Sequence, residues 1–153
     1  MTNQPAHPPL ERDPTQARNK FRQLVGYTTK AWSEGYGEVQ ILVRDDHMNS
    51  MGIPHGGVYV TMLDAAFGHA CAWCAVPSNT RSAVTVSLTT SFLAIARTPL
   101  IIARGRITGQ DGRMVTLTGE VVDEAGQICV LGQAAFMYLP GSEHRDGVAR
   151  RVK

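Results

Sequence analysis

Cysteine, charge and an apolar leader are the scarce features of this 153-residue chain, and each absence excludes something. Cys71, Cys74 and Cys129 are an odd number at no framework spacing, which argues against a disulfide-stapled scaffold and for a reducing, cytoplasmic setting. Met1–Asp13 is polar and rich in proline, so no signal peptide is expected. Charged residues make up only 18%, and the net charge is +2. The segment Gly141–Lys153 holds four basic and two acidic residues; removing these from totals of 15 and 13 leaves eleven of each sign. A neutral body carries no broad nucleic-acid footprint, and the short basic end reads as solvated tail. There is no G-x-S-x-G elbow for a serine hydrolase, and no Walker or dinucleotide glycine pattern.

What is present is enough apolar residue, 43%, for one domain with a real core. Met1–Pro14 carries four prolines and reads as a loose arm. Ala17, Phe21, Leu24 and Val25 then recur at helical spacing, with Gly26 as the stop. Tyr27–Glu34 is a modest strand. Glu38–Arg44 alternates Val39, Ile41 and Val43 with polar residues, a half-buried strand. Four further strands are expected at Ala83–Leu93, Leu100–Gly109, Met114–Asp123 and Gln127–Tyr138. Gln110-Asp-Gly112 and Glu124-Ala-Gly126 are hairpin turns between them. One helix followed by an antiparallel meander makes an α+β fold.

The stretch His47–Cys74 organises the rest. It begins as a polar loop with Gly52 and Pro54, and Gly56-Gly57 then opens an apolar segment with no proline until Pro77. Its apolar residues cover every face of a helical projection, so the helix is buried. A membrane span is disfavoured, because Asp64 and His69 lie inside it and a charge at mid-membrane costs about 2.5–3.5 kcal/mol. Asp64 is the anomaly: aspartate is rarely buried without a partner. Asn49 and His55 precede the helix, and its first turn presents N–H groups with no intrahelical acceptor. Loop, helix start and carboxylate together suit a polarised carbonyl. Asp64 follows Gly56 by eight residues, about 12 Å along the axis. A second chain is therefore needed if both act on one small group, and two helices antiparallel about a two-fold would form two such composite sites. Cys71-Ala-Trp-Cys74 lies deep in the same helix, away from the N-terminus that would stabilise a thiolate. No second cysteine pair accompanies it, and His47, His55 and His69 lack ligand spacing, so no metal is expected.

Asn49, His55-Gly56-Gly57 and Asp64 in an apolar helix resemble the hotdog-fold acyl-CoA thioesterases of the phenylacetic-acid-degradation (PaaI-like) group. Thr85-Val-Ser-Leu-Thr-Thr-Ser-Phe-Leu-Ala94 is similar to a strand of that family, and the resemblance covers roughly residues 20–139. It implies an antiparallel sheet wrapped around one long helix, flanked by an arm and helix start at 1–19 and a basic tail at 140–153. It implies hydrolysis of aryl or medium-chain acyl-CoA to acid and CoA, without metal or redox cofactor. Self-association follows, a dimer at least and a tetramer by family habit. Residue by residue, Asp64 is the general base or the nucleophile. Gly56 N–H is the donor to the thioester oxygen, a reading compatible with simple helix-entry packing. His55 is an orienting or polarising group, or a loop histidine that fixes the helix entry by hydrogen bonds. Asn49 is a positioner of substrate or water, although it suits a turn cap equally. Thr85 either holds the water by its hydroxyl or is an ordinary strand threonine. Where the family often has Arg-Pro after Phe-Leu, Ala94-Ile95 stand here, so nearby Arg97 becomes the substitute CoA-phosphate contact. The hairpin Asp111-Gly112-Arg113 is similar to a family turn whose basic residue often faces the CoA nucleotide, which makes Arg113 a second candidate, a solvated turn arginine being its default. Tyr59, Met62 or Phe67 would line the acyl pocket. Two other functions fit the same pattern: a non-catalytic acyl-CoA-binding hotdog protein, and, less well, a dehydratase or hydratase.

Overall fold

The computed structural model describes residues 19–150. A short helix α1, Lys20–Val25, leads into strands β1, Thr28–Ser33, and β2, Tyr36–Leu42. A loop then feeds the central helix α2, Gly56–Ala72. After it come β3, Asn79–Thr80, and the long strands β4, Ala83–Phe92; β5, Leu100–Asp111; β6, Met114–Asp123; and β7, Ile128–Tyr138. A last strand, β8, Val148–Ala149, pairs with β3. The main sheet runs β1-β2-β5-β6-β7-β4, antiparallel throughout, with α2 against its inner face. This is the hotdog arrangement of α+β architecture. The hairpins fall at Gly112 and Gly126, both at positive φ, where an L side chain would be strained.

A row of glycines lets sheet and helix come this close. Gly37 pairs with Gly105, Gly105 with Gly119, and Gly119 with Gly132, straight across β2, β5, β6 and β7. A Cβ at Gly37 would lie 2.3 Å from Ala66 O, and one at Gly105 2.6 Å from Phe67 Cδ1. At Gly119 it would lie 2.7 Å from Phe67 Cε1, and at Gly132 2.8 Å from Leu63 Cδ1. The slot receives Met62, Leu63, Ala66, Phe67, Ala70 and Cys71, all fully enclosed. Burying one such large side chain contributes about 1.5–3 kcal/mol. Met62 and Phe67 are thus core residues, not the pocket lining expected of them; they face the sheet because α2 is buried along its whole inner side.

Two segments differ from expectation. In α1 it is Arg22 that faces inward. Its Nε donates to Tyr27 O at 3.1 Å, and its guanidinium lies 5.6 Å from the Tyr27 ring centroid. Phe21 and Leu24 are exposed instead, because a six-residue helix can turn only one side to the body and the cation fills it. The expected start of that helix and most of the arm lie outside the described residues. The basic tail is the second difference: residues 140–149 are bonded to the body rather than trailing into solvent. Buried Arg81 donates to Ser142 O (2.8 Å), Glu143 O (3.3 Å) and Trp73 O (3.2 Å) and stacks 4.3 Å from the Tyr138 ring centroid. Arg145 forms a forked pair with Glu34 at 2.6 and 2.9 Å. Arg151 and Lys153 lie outside the described residues.

Candidate active site

The loop before α2 is a closed hairpin. His55 N–H donates to His47 O at 2.8 Å, Met48 bridges to Pro54, and Asn49 N–H donates to Ile53 O at 2.9 Å. Two side chains hold its shape. Buried His47 accepts from Arg44 N–H on Nδ1 at 3.0 Å, so its proton sits on Nε2, 2.8 Å from Val25 O. Asn49 Oδ1 accepts from Met51 N–H (2.9 Å) and Ile53 N–H (3.3 Å). Asn49 therefore organises the loop through its oxygen, leaving its Nδ2 without a partner among the described residues. The turn-cap reading and the positioning reading coexist in one side chain. Nothing in the sequence marks His47 as a positioning residue, since no spacing reveals a bond to Val25, 22 residues away.

His55 is the N-cap of α2. Its Nδ1 accepts from Gly57 N–H at 2.8 Å, and its carbonyl accepts from Val58 N–H at 2.9 Å. With Nδ1 used as acceptor, the neutral ring carries its proton on exposed Nε2. It is thus arranged to donate, which favours the orienting or polarising role over that of a base. Gly56 N–H is the first-turn donor left open, with no hydrogen-bond partner among the described residues. The helix dipole adds partial positive charge at the same point.

Asp64 is half-buried in the middle of α2 and meets strand β4. Thr85 Oγ1 donates to Asp64 Oδ1 at 2.7 Å. The threonine hydroxyl is thus committed to the carboxylate, fixing its orientation and leaving Oδ2 without a partner among the described residues. A hydroxyl has one proton, so Thr85 can contact water only as an acceptor. The Tyr27 phenol is pushed up chiefly by burial; Arg22 pulls it down and the negative charge of Asp64 adds to the rise. Tyr27 is buried and feels the charge of Asp64, a coupling across 37 residues that no sequence spacing reveals.

The structure brings Asn49, His55 and Gly56 to one end of α2 and the Asp64–Thr85 pair to its middle, and does not bring the two groups together within one chain. The arginines are also apart. Arg97 is exposed; its N–H donates to Asp123 Oδ2 at 2.9 Å, and the adjacent Ala96 N–H donates to Tyr59 Oη at 3.2 Å, near the start of α2. Arg113 is exposed beside Tyr138, whose hydroxyl donates to Cys71 O at 3.2 Å near the helix end. Burial pushes the Cys71 thiol up to about 12, so it is no nucleophile. Among the described residues, no three of His, Cys, Asp and Glu gather as a metal site, and no helix is long and apolar enough to cross a membrane.

Comparison with known proteins places the fold. A PaaI mutant from Thermus thermophilus, a phenylacetic acid degradation protein, is 27% identical, covers 79% of this chain and all of its own, and superposes with a TM-score of 0.69. The Escherichia coli PaaI protein of the phenylacetic acid degradation operon shares the fold at 19% identity and a TM-score of 0.71, over 80% of this chain and 86% of its own. An Archaeoglobus fulgidus protein, provisionally described as an esterase, is 21% identical over 80% of this chain and 77% of its own. Residues 51–130, more than half of the sequence and including Gly56, Asp64 and Thr85, match the Thioesterase superfamily, to which this chain belongs.

Proposed function

We propose that the protein hydrolyses acyl-CoA thioesters of aryl or medium-chain acids, in sites each built from two copies of the chain. The observation that carries this is the pairing, on one helix, of an open N–H at Gly56 with a Thr85-oriented carboxylate about 12 Å further along. The thioester oxygen accepts from Gly56 N–H of one protomer, which stabilises the developing oxyanion. Asp64 of the other protomer either takes a proton from the attacking water or attacks the carbonyl carbon itself. In the first case water adds to the carbonyl directly; in the second the mixed anhydride formed on Asp64 is hydrolysed by water, which frees the carboxylate. In both the CoA sulfur leaves as thiolate and is protonated, and the OH of water ends in the acid. Asn49 Nδ2 and His55 Nε2 are free to hold substrate or water, and the Arg97 and Arg113 guanidiniums are the candidate CoA-phosphate contacts. The reaction so written uses water alone, in a reducing cytoplasm that suits three free cysteines.

Strand β4 supports the two-chain reading. It is a long edge strand carrying Thr85 between Val84 and Val86, which are about half exposed. An open apolar edge invites pairing with another chain, and a second copy there would lie beside Asp64. Two such dimers would make the tetramer.

The test is thiol release from phenylacetyl-, hydroxybenzoyl-, hexanoyl- and palmitoyl-CoA, followed by subunit mixing. Asp64→Asn and Gly56→Pro should each be inactive. Co-refolded in equal amounts they should regain about a quarter of wild-type activity, because half the dimers hold one intact site of two. No recovery would place both groups in one protomer. Tight CoA-ester binding without thiol release would instead favour a non-catalytic binding protein.

A further inference from the structure

We infer that Phe92 forms the acyl-side wall of this site and selects for apolar acyl groups, an inference that rests on the thioesterase reading above. Phe92 ends β4 and pairs with Val130. Its ring lies against Gly56: a Cβ on that glycine would be 3.4 Å from both Cε1 and Cζ of Phe92. A carbonyl that accepts from Gly56 N–H therefore has an aromatic surface beside it. That surface is open, since Phe92 is 55% exposed although large and apolar.

The ring also stands on a rigid support. Tyr59, 4% exposed, meets it edge-on at 6.4 Å and 75°. The Tyr59 hydroxyl is held in turn by Ala96 N–H at 3.2 Å. Leu93 N–H and Ala94 N–H both donate to Cys129 O, at 2.8 and 3.2 Å, which fixes the chain directly after the ring. Leu93 and Ile95 are equally exposed, but it is Phe92 whose ring lies against the open N–H. A preorganised apolar surface binds apolar groups without an ordering cost. Phe92 should then contribute in proportion to the apolar area of the acyl group and contribute nothing to acetyl.

The experiment compares kcat and KM for acetyl-, hexanoyl- and phenylacetyl-CoA in wild type, Phe92→Ala and Phe92→Leu. In Phe92→Ala, kcat/KM should fall about tenfold for hexanoyl and phenylacetyl, mostly in KM, and stay within about twofold for acetyl. Phe92→Leu should recover part of the hexanoyl loss. An equal change across all three esters, no change, or a gain for the larger esters would overturn the assignment. Thermal midpoints measured alongside separate a folding defect from a binding one. A wild type that turns over none of the three would sink the thioesterase reading itself, and the role of Phe92 with it; an active wild type whose ratios of kcat/KM among the three esters are unchanged in Phe92→Ala would sink only the latter.

Discussion

The two ends of α2 are finished in opposite ways. At the C-terminal end three backbone carbonyls, those of His69, Cys71 and Trp73, are given side-chain donors. Trp32 Nε1 donates to His69 O at 2.7 Å, Tyr138 Oη to Cys71 O, and Arg81 to Trp73 O. Residues 140–149 lie over this end: Ala75 N–H donates to Arg145 O, and the Arg145 guanidinium sits 5.2 Å from the Trp73 ring centroid. At the N-terminal end, His55 caps Gly57 and Val58, and Gly56 N–H is passed over. Both ends have polar side chains within reach, so the difference is one of placement, not of supply. A helix end that is sealed stabilises the fold; one that is half-sealed keeps a donor and a dipole for something else.

Disabling the open end should have the largest effect. Gly56→Pro deletes the open N–H at a position where proline suits the first helical turn. The preceding residue, His55, is already extended (φ −61°, ψ 137°), as a residue before proline must be. We expect kcat to fall about 10²–10³-fold, as for loss of one oxyanion donor, with the thermal midpoint nearly unchanged. A joint loss of both would mean that Gly56 serves packing alone.

Opening the sealed end should do the reverse. Arg81→Ala strands the carbonyls of Trp73, Ser142 and Glu143 and removes a cation from the Tyr138 face. A stability loss of about 2–3 kcal/mol is expected in urea unfolding, with kcat per folded molecule retained. An undiminished urea midpoint would show that water replaces the guanidinium without penalty.

His55 divides the two functions within one residue. His55→Asn keeps a capping oxygen and His55→Ala does not, so only alanine should cost about 1 kcal/mol of stability. If Nε2 also holds substrate, both variants should raise KM. Equal stability in the two variants would remove His55 as a cap.

The smallest effect concerns Asp123, which supports the open end from behind. Its carboxylate accepts from Arg97 N–H and Gln127 N–H, both at 2.9 Å. The Arg97 N–H, first among its neighbours, holds it below the usual aspartate value. A lowered folded value means stability that is fully present above about pH 4 and is lost as pH falls through the folded pKa. Asp123→Asn should therefore flatten the acid limb of the stability curve below about pH 4, read as urea midpoints from pH 2.5 to 7. An unaltered limb would assign the acid sensitivity to other carboxylates.

Local signals carried most of the fold. Met114–Asp123 is read correctly to the residue, α2 starts at Gly56 as its glycines suggest, and the two hairpins fall on Gly112 and Gly126. What escaped was set by partners far apart in sequence. Phe21 and Leu24 have helical spacing, but spacing does not say which side meets the body, and Arg22 won that side through Tyr27. Arg81 looks like a loop cation until Ser142, 61 residues on, is placed beside it. In the candidate site, the residue types and their order along α2 were legible. The Thr85 hydrogen bond to Asp64, the buried Tyr27 and the aromatic surface of Phe92 against Gly56 were not, because each depends on how β4 or the turn before β1 packs against the rest of the fold.

The glycine row has a mechanical consequence beyond close packing. Four side-chain-free positions in line form a keyway, and Phe67 and Leu63 are the key. Sliding α2 by one residue, or rolling it by a third of a turn, would drive a side chain into the strand backbone. The helix is thereby indexed to the sheet in both translation and rotation. Gly56 stays at the ring of Phe92 and Asp64 at the hydroxyl of Thr85 only while that index holds, so a substitution in the keyway would displace both contacts at once.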